Sequence, residues 1–260
     1  MSAFEKVSAA RAKGRPTGID YITNIFEDFI EMHGDRRFGD DKAVITGIAR
    51  LNAMPVTVVA LEKGHDTKEK VFRNFGSAHP EGYRKALRQM QLAEKFGRPV
   101  VCFVDTAGAF CGIAAEERGQ GQAIAENLMQ MMTLKVPVIS VLIGEGGSGG
   151  ALALAVADEV WMLQNAVYSV ISPEGCASIL WKDPSKVKEA SECLKLTADD
   201  LLELKVIEKI IVENGKDFQK TYQALKGSLS LAFTKSKQLS PPELVAKRYA
   251  RFRKIGADFL

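Results

Sequence analysis

Cysteine is scarce in this chain of 260 residues: Cys102, Cys111, Cys176 and Cys193 are the only four, and no two form a CxxC pair. That spacing excludes a disulfide frame and a cysteine zinc site, and it fits reduced thiols in the cytoplasm. An excess of charge is missing too. Lys+Arg number 35 against 32 Asp+Glu, a formal net charge of +3, so no nucleic-acid partner is expected. No apolar run is long enough to span a bilayer, so no membrane partner is expected either. Met1 to Gly18 is polar and mildly basic without an apolar core, which argues against a secretory signal. Charge-poor linkers are absent. Residues 1–260 therefore read as a single domain with one large core, in which 1–19 form a flexible N-terminal segment.

Glycine, by contrast, is concentrated in one place. Residues 136–143 (VPVISVLI) read as a buried strand, and five glycines then fall within seven residues: Gly144, Gly146, Gly147, Gly149 and Gly150. An Ala/Leu-rich helix follows from Ala151. A strand that breaks into glycine before a helix leaves backbone N–H groups unpaired. Without Cβ atoms, a ligand can approach those groups closely. The helix dipole adds partial positive charge, so the run suits an anion or a developing oxyanion. The plainer alternative is a tight packing turn, but such a turn needs only one or two glycines. Nucleotide motifs do not fit. Ala151-Leu152 stand where a Walker loop needs Lys and Ser/Thr. A dinucleotide fingerprint forced onto Gly144, Gly146 and Gly149 lacks an acid about 20 residues on, because Asp158 and Glu159 come before the next strand.

A second glycine turn lies upstream. The buried strand 98–105 runs into Thr106-Ala107-Gly108-Ala109-Phe110-Cys111-Gly112, and a helix is predicted from about Ala114 to Leu134. Both strand ends belong at one sheet edge, where α/β proteins keep their ligand crevices. One N–H from each turn can then converge on a single oxygen.

The remaining periodicities predict a helix over Asp20–Met32, a hairpin from Val44–Leu51 and Val56–Leu61, and a helix over Glu81–Phe96. On that last helix Leu87, Met90 and Phe96 face inward and Arg84, Lys85 and Arg88 outward, most simply as a solvated face, the alternative being contact with coenzyme phosphates or an acidic carrier protein. Short strands are predicted at 160–163, 167–171 and 206–212. Further helices start at Asp183-Pro184, Thr197 and Ser240-Pro241. Together these predict an α/β superhelix of ββα units with a C-terminal helical region. Trp161 and Trp181 read as core. His33, His65 and His79 lie apart without a nucleophile motif and read as structural or surface residues. Glu116, Glu117 and Arg118 read as helix-start and subunit-contact residues.

Several of these stretches resemble the crotonase superfamily, and within it the carboxyltransferase alpha subunit of bacterial-type acetyl-CoA carboxylase. The matching segments are Phe75-Gly76 with Pro80 to Leu87, Asp105 to Gly112, Ala115 to Gln120, Gly144 to Ala151, and Tyr168 to Trp181. The family's usual turn, Asp-Thr-Pro-Gly-Ala-Tyr-Pro-Gly, is changed here by Ala107, Phe110 and Cys111, which loosens it and removes a phenol. The family's N-terminal helical extension is mostly missing.

The resemblance implies a crotonase-like fold and transfer of a carboxyl group from carboxybiotin, carried on a biotin carboxyl carrier protein, to acetyl-CoA, giving malonyl-CoA. It implies a zinc-bearing beta subunit in an alpha2beta2 heterotetramer, a biotin carboxylase partner, and no metal on this chain. Gly149, Gly150, Gly108 and Ala109 become the expected oxyanion donors, and Gly146, Gly147, Gly112 and Phe110 the expected biotin contacts. Hydratases of the superfamily carry one glutamate at the position of Leu152 and another at that of Glu174. With the first absent, paired acid–base hydration is disfavoured, and Glu174 reads as a turn cap near Ser172-Pro173. A stand-alone hydratase or thioesterase and a non-catalytic scaffold are the competing readings.

Overall fold

The computed structural model describes residues 1–215 and 217–257. One mixed sheet runs through it in the order β1-β2-β3-β4-β5-β6-β8, with β7 added beside β5. The strands are β1 Glu27–Glu31, β2 Val44–Leu51, β3 Met54–Leu61, β4 Val100–Thr106, β5 Val138–Gly147, β6 Glu159–Leu163, β7 Val167–Ser169 and β8 Lys209–Ile211. Strands β1 to β3 pair antiparallel, and from β3 onward every pairing is parallel. The parallel strands are covered on both faces, which is why β4 is apolar from Val100 to Val104 and buried at every residue, including Asp105 and Thr106.

The helices are α1 Ala3–Ala10, α2 Gly18–Ile25, α3 Thr67–Phe72, α4 Pro80–Lys95, α5 Ile113–Glu117, α6 Gln120–Thr133, α7 Ser148–Leu152, α8 Pro173–Cys176, α9 Val187–Cys193, α10 Ala198–Glu203, α11 Phe218–Ser236 and α12 Pro241–Lys254. The α/β architecture with a helical C-terminal region is as expected, but several elements differ from the sequence reading. The helix expected over Asp20–Met32 ends at Ile25, and Glu27–Glu31 pairs with β2 as an edge strand. Four of its five residues are exposed, so the apolar spacing of Phe29 and Ile30 could serve either state. The helix expected over 114–134 is broken at Gly119, whose φ of 79° is left-handed. The strand expected over 206–212 shortens to Lys209–Ile211. Helix α11 was not anticipated, although Tyr222, Leu225, Leu229 and Phe233 mark its buried face.

Three burial assignments reverse. Lys85 is buried rather than outward: its Nζ donates to Asp40 at 2.6 Å and to the Asp41 carbonyl at 2.7 Å. Phe96 and Trp181 are exposed, at 62% and 37%, while Trp161 is core as read. Residues 1–19, read as flexible, carry α1 and the start of α2. Ser2 and Glu5 form a capping box, Val7 and Ala10 pack with Val167 and Leu196, and Lys6 Nζ donates to the Gln164 carbonyl at 2.6 Å. The polar composition of this segment reflects its ionic anchors to the rest of the fold.

The C-terminal helix is fixed by one buried cation. Arg248 of α12 is fully buried; it donates to the carbonyls of Met131, Leu134 and Val136 and pairs with Asp158 at 2.8 Å. Its guanidinium thereby caps the end of α6 and the entry to β5. Replacing one partner of such a pair leaves the other charge and the carbonyls uncompensated. Arg248→Met is expected to lower unfolding free energy by about 3–5 kcal/mol, read from urea midpoints. A loss below about 1 kcal/mol would mean that α12 is held by apolar contacts alone.

Candidate functional site

Strands β4 and β5 are parallel neighbours, so both glycine turns leave the sheet at one edge. The first turn is shaped by Thr106, whose Oγ1 accepts from the Gly108 N–H at 3.1 Å and donates to the Gly108 carbonyl at 2.8 Å. The Phe110 N–H donates to the Ala78 carbonyl at 3.0 Å, and Gln120 Nε2 ties both the Ala78 and Phe110 carbonyls at 2.8 and 2.9 Å. His79 stacks on the Phe110 ring with centroids 4.0 Å apart. Phe110 is thereby held as a half-exposed platform, and Gly112 behind it is extended so that its missing Cβ leaves room for that ring.

The second turn departs from the sequence reading. Strand β5 continues through Gly144, Gly146 and Gly147, because β7 pairs with it at Glu145 to Gly147. The helix that follows is only five residues long. A macrodipole that short adds little, so what this turn offers an anion is its free first-turn amides rather than a helix field. Ser148 opens α7 with φ 51°, a left-handed value held for a non-glycine residue at the tip of the loop.

The five glycines have different reasons to be glycine. A Cβ on Gly147 would overlap the Ala107 carbonyl, and one on Gly150 would overlap the Ala109 amide and stand 2.9 Å from the Tyr83 hydroxyl. Gly144 backs onto the Asp105 carboxylate and Gly146 onto Leu142 and Tyr168. Gly147 and Gly150 thus let the turns press together, while Gly144 and Gly146 serve packing within the sheet. At Gly149 a Cβ would meet nothing closer than Ile124 at 3.7 Å. Of the expected donors, Gly108, Ala109 and Gly149 are partly exposed and Gly150 is buried. The Ala109 N–H makes no hydrogen bond among the described residues. Gly149 lies in the first turn of α7, where no intrahelical acceptor exists.

A chain of charges that the sequence reading missed locks this junction. Lys63, two residues past β3, reaches Asp105 at 2.6 Å and Glu145 at 2.9 Å, and the Glu145 N–H donates to Asp105 Oδ1 at 2.8 Å. Burial opposes the Lys63 cation, yet the two carboxylates outweigh it and raise its pKa. Burial likewise opposes the Glu145 anion, but Lys63 and Arg11 hold its pKa down. Arg11 then bridges Glu145 at 2.7 Å and Glu174 at 2.6 Å. Ser172 caps α8 and Glu174 stands in its first turn, near Ser172-Pro173 as expected; its pKa is lowered first by the Arg11 hydrogen bond and then by its own N–H and Ser172. A cavity of about 310 Å³, bordered by Arg11, Lys63, Phe75, Asp105, Ala107 and Glu145, opens beside the first turn. No group of three or more metal-ligating side chains occurs among the described residues.

The three histidines are structural. His65 pairs with Asp20 and Glu69, His33 with Asp40, and His79 with Asp41 beside its stack on Phe110. Arg118 pairs with Glu81 at 2.9 Å. Leu152 stands on the exposed side of α7 with no acid in its place.

Residues 1–256 match the family described as acetyl co-enzyme A carboxylase carboxyltransferase-like. The chain is 68% identical over 256 residues to an acetyl-coenzyme A carboxylase carboxyl transferase subunit alpha of Ruminiclostridium cellulolyticum, covering 98% of each. It is 57% identical to a fused beta/alpha carboxyl transferase of Natranaerobius thermophilus, of which it spans 43%. Among solved structures, the transcarboxylase 12S core superimposes with a TM-score of 0.70 at 21% identity, over 88% of this chain and 44% of that one. That likeness supports the crotonase-type carboxyltransferase fold.

The steric difference between neighbouring glycines gives a direct test of the junction. Gly150→Ala is expected to lower the melting temperature by several degrees, because its methyl collides with backbone that cannot move aside. Gly149→Ala is expected to leave it within about 1–2 degrees, since its methyl enters open space. Equal melting temperatures for the two variants, by differential scanning fluorimetry, would show that the turns do not touch as described.

Proposed function

The chain belongs to the acetyl-CoA carboxylase carboxyltransferase-like family, and on that premise we propose that it is the alpha half of an enzyme that carboxylates acetyl-CoA to malonyl-CoA, the committing step of fatty acid synthesis. The observation that carries the site assignment is the pair of facing turns. It offers the unengaged Ala109 amide and the sterically open Gly149 amide.

Carboxybiotin, delivered by a biotin carboxyl carrier protein, supplies an activated carboxyl group whose departure puts negative charge on the ureido oxygen. In this reading the Ala109 and Gly149 N–H groups donate to that oxygen, each worth roughly 3 kcal/mol once water is excluded. Gly108 and Gly150 set their separation, and Gly146 and Gly147 hold the loop on the sheet. Phe110, braced by His79 with Gly112 behind it, is the apolar platform for the ring system. Both polar needs of a small oxygen acceptor are met by atoms present in the chain, and the adjoining cavity of about 310 Å³ is at the small end of ligand sites.

Acetyl-CoA's enolate needs a second oxyanion site. The beta partner, which occurs fused to the alpha sequence in the Natranaerobius relative, is proposed to supply it, together with zinc, in an alpha2beta2 assembly in the cytoplasm fed by biotin carboxylase. The chain alone is therefore expected to show no decarboxylation of malonyl-CoA with free biotin, and to gain it when the beta subunit is added. Within that complex Gly149→Val is expected to lower turnover about 100-fold or more, with assembly and circular dichroism unchanged. Activity of the isolated chain, or full turnover in a well-folded Gly149→Val complex, would refute the assignment.

A hydratase reading requires Glu174 to exchange protons at neutral pH. Its Arg11 partner stabilises the anion, so the carboxyl stays ionised. Glu174→Gln is expected to change carboxyl transfer by less than about tenfold, below the usual contribution of a general acid or base. Crotonyl-CoA hydration by the wild-type chain that vanishes in Glu174→Gln would favour the hydratase instead.

A further inference from the structure

Helices α4 and α6 leave an open cleft of about 440 Å³ on the face that carries Arg84 and Arg88, walled by Arg36, Arg37, Glu126 and Met129. Its arginines differ in what they hold. Arg84 is engaged: its Nε donates to Asp35 at 2.8 Å and its Nη1 to the Arg118 carbonyl at 2.9 Å. Arg37 is exposed, and its nearest acid, Glu126, is 3.8 Å away. Arg36 and Arg88 have no carboxylate partner among the described residues. Arg88 donates to the carbonyls of Gly34 and His33, each at 3.0 Å, and to the Gln89 side-chain oxygen at 2.8 Å with that amide turned to accept; Arg36 donates to the His33 carbonyl at 3.2 Å.

The nearby acids are already committed. Asp35 receives the N–H groups of Arg37, Phe38 and Gly39 besides Arg84. Asp40 receives Lys85, Lys42 and the Gly34 N–H. Burial, and then the like charge of Arg36, lower the pKa of Arg88, while Asp35 and Asp40 oppose that shift without reversing it, and Arg36 and Arg88 share the His33 carbonyl. The loop that brings them together is built rather than slack. Asp35 gathers three successive amides, and Arg36 holds a left-handed φ of 64° that few non-glycine residues adopt.

Asp35 and Glu126 also line the cleft, but Asp35 is spent on Arg84 and three amides and Glu126 faces Arg37. Arg36 and Arg88, two adjacent cations with no ion pair of their own among the described residues, match a dianion. The planar guanidinium fork fits the oxygens of a phosphoryl group in particular. Leu87 and the exposed Met129 add apolar wall for an organic portion. We infer that the cleft between α4 and α6 is a binding site for a phosphoryl-bearing small molecule, held by Arg36 and Arg88 with Arg37 at the rim. It lies apart from the glycine turns and does not depend on the carboxyl-transfer assignment.

Titration calorimetry of the full chain with pyrophosphate tests it. Saturable binding is expected, weakening as salt is added, and falling about tenfold or more in Arg36→Gln and in Arg88→Gln. Arg88 also braces residues 33–34, so Arg36→Gln, which loses one bond to a neighbouring carbonyl, is the deciding variant if Arg88→Gln unfolds. Coenzyme A and dephospho-coenzyme A then separate the sources. Competition with pyrophosphate by the first, weaker for the second, makes the coenzyme's 3′-phosphate the ligand group. Pyrophosphate binding without such competition makes it a free phosphate compound. Failure of pyrophosphate to bind saturably, or binding unchanged in folded Arg36→Gln, would overturn the site.

Discussion

Contact between two backbone turns is the constraint on which the rest of this molecule depends. Gly147 lies against the Ala107 carbonyl and Gly150 against the Gly108-Ala109 peptide, with no side chain between them. Two parallel strands at ordinary spacing would hold their following loops apart by the width of their side chains. The missing Cβ atoms of Gly147 and Gly150 let the loops close against each other. The sheet order, with β4 beside β5, is what puts the loops side by side.

Backbone proximity alone would not hold register, and the ionic chain does that. Asp105 is one residue before the end of β4 and Glu145 is inside β5. Lys63, arriving from β3, binds both carboxylates while the Glu145 amide binds Asp105. Three adjacent strands are thus cross-linked where the turns begin. Buried charges in such a chain add little net stability compared with apolar packing, but removing any one is costly. Their contribution is to exclude alternative registers. Arg11 extends the chain to the N-terminal segment and to Glu174, so the segment preceding α2 belongs to the support of the site.

Much of this was legible in the chain. The buried strands, the two glycine turns, the N-caps at Thr197 and Ser240 and the crotonase-like architecture follow from local chemistry and motif. The illegible parts are those in which a partner is distant in sequence. Lys85 looks like a solvated helix residue until Asp40 is seen beside it, and Arg248 looks like one basic residue among several on α12 until three carbonyls and Asp158 surround it. Phe29 and Ile30 satisfy a helical period and an edge strand equally well, and only pairing with β2 decides. Glycine number was informative, but glycine purpose was not. Which of the five serves packing and which leaves space for a ligand depends on atoms from the other turn.

The exposure of the two donors bears on why such a chain acts in company. Ala109 and Gly149 are both partly open to water, and the surface around them includes Ile113 at 80% and Leu152 at 37% exposure. In high dielectric a hydrogen bond to a developing oxyanion competes with water and contributes little; in an enclosed site the same bond is several times stronger. In the proposed assignment this chain supplies the two amides, while the apolar residues Ile113 and Leu152 are left uncovered. A partner surface laid over Ile113 and Leu152 would remove water from the acceptor position without moving the donors. Preorganisation would then come from this chain and the low dielectric from its partner, so the catalytic strength of the site would belong to the interface.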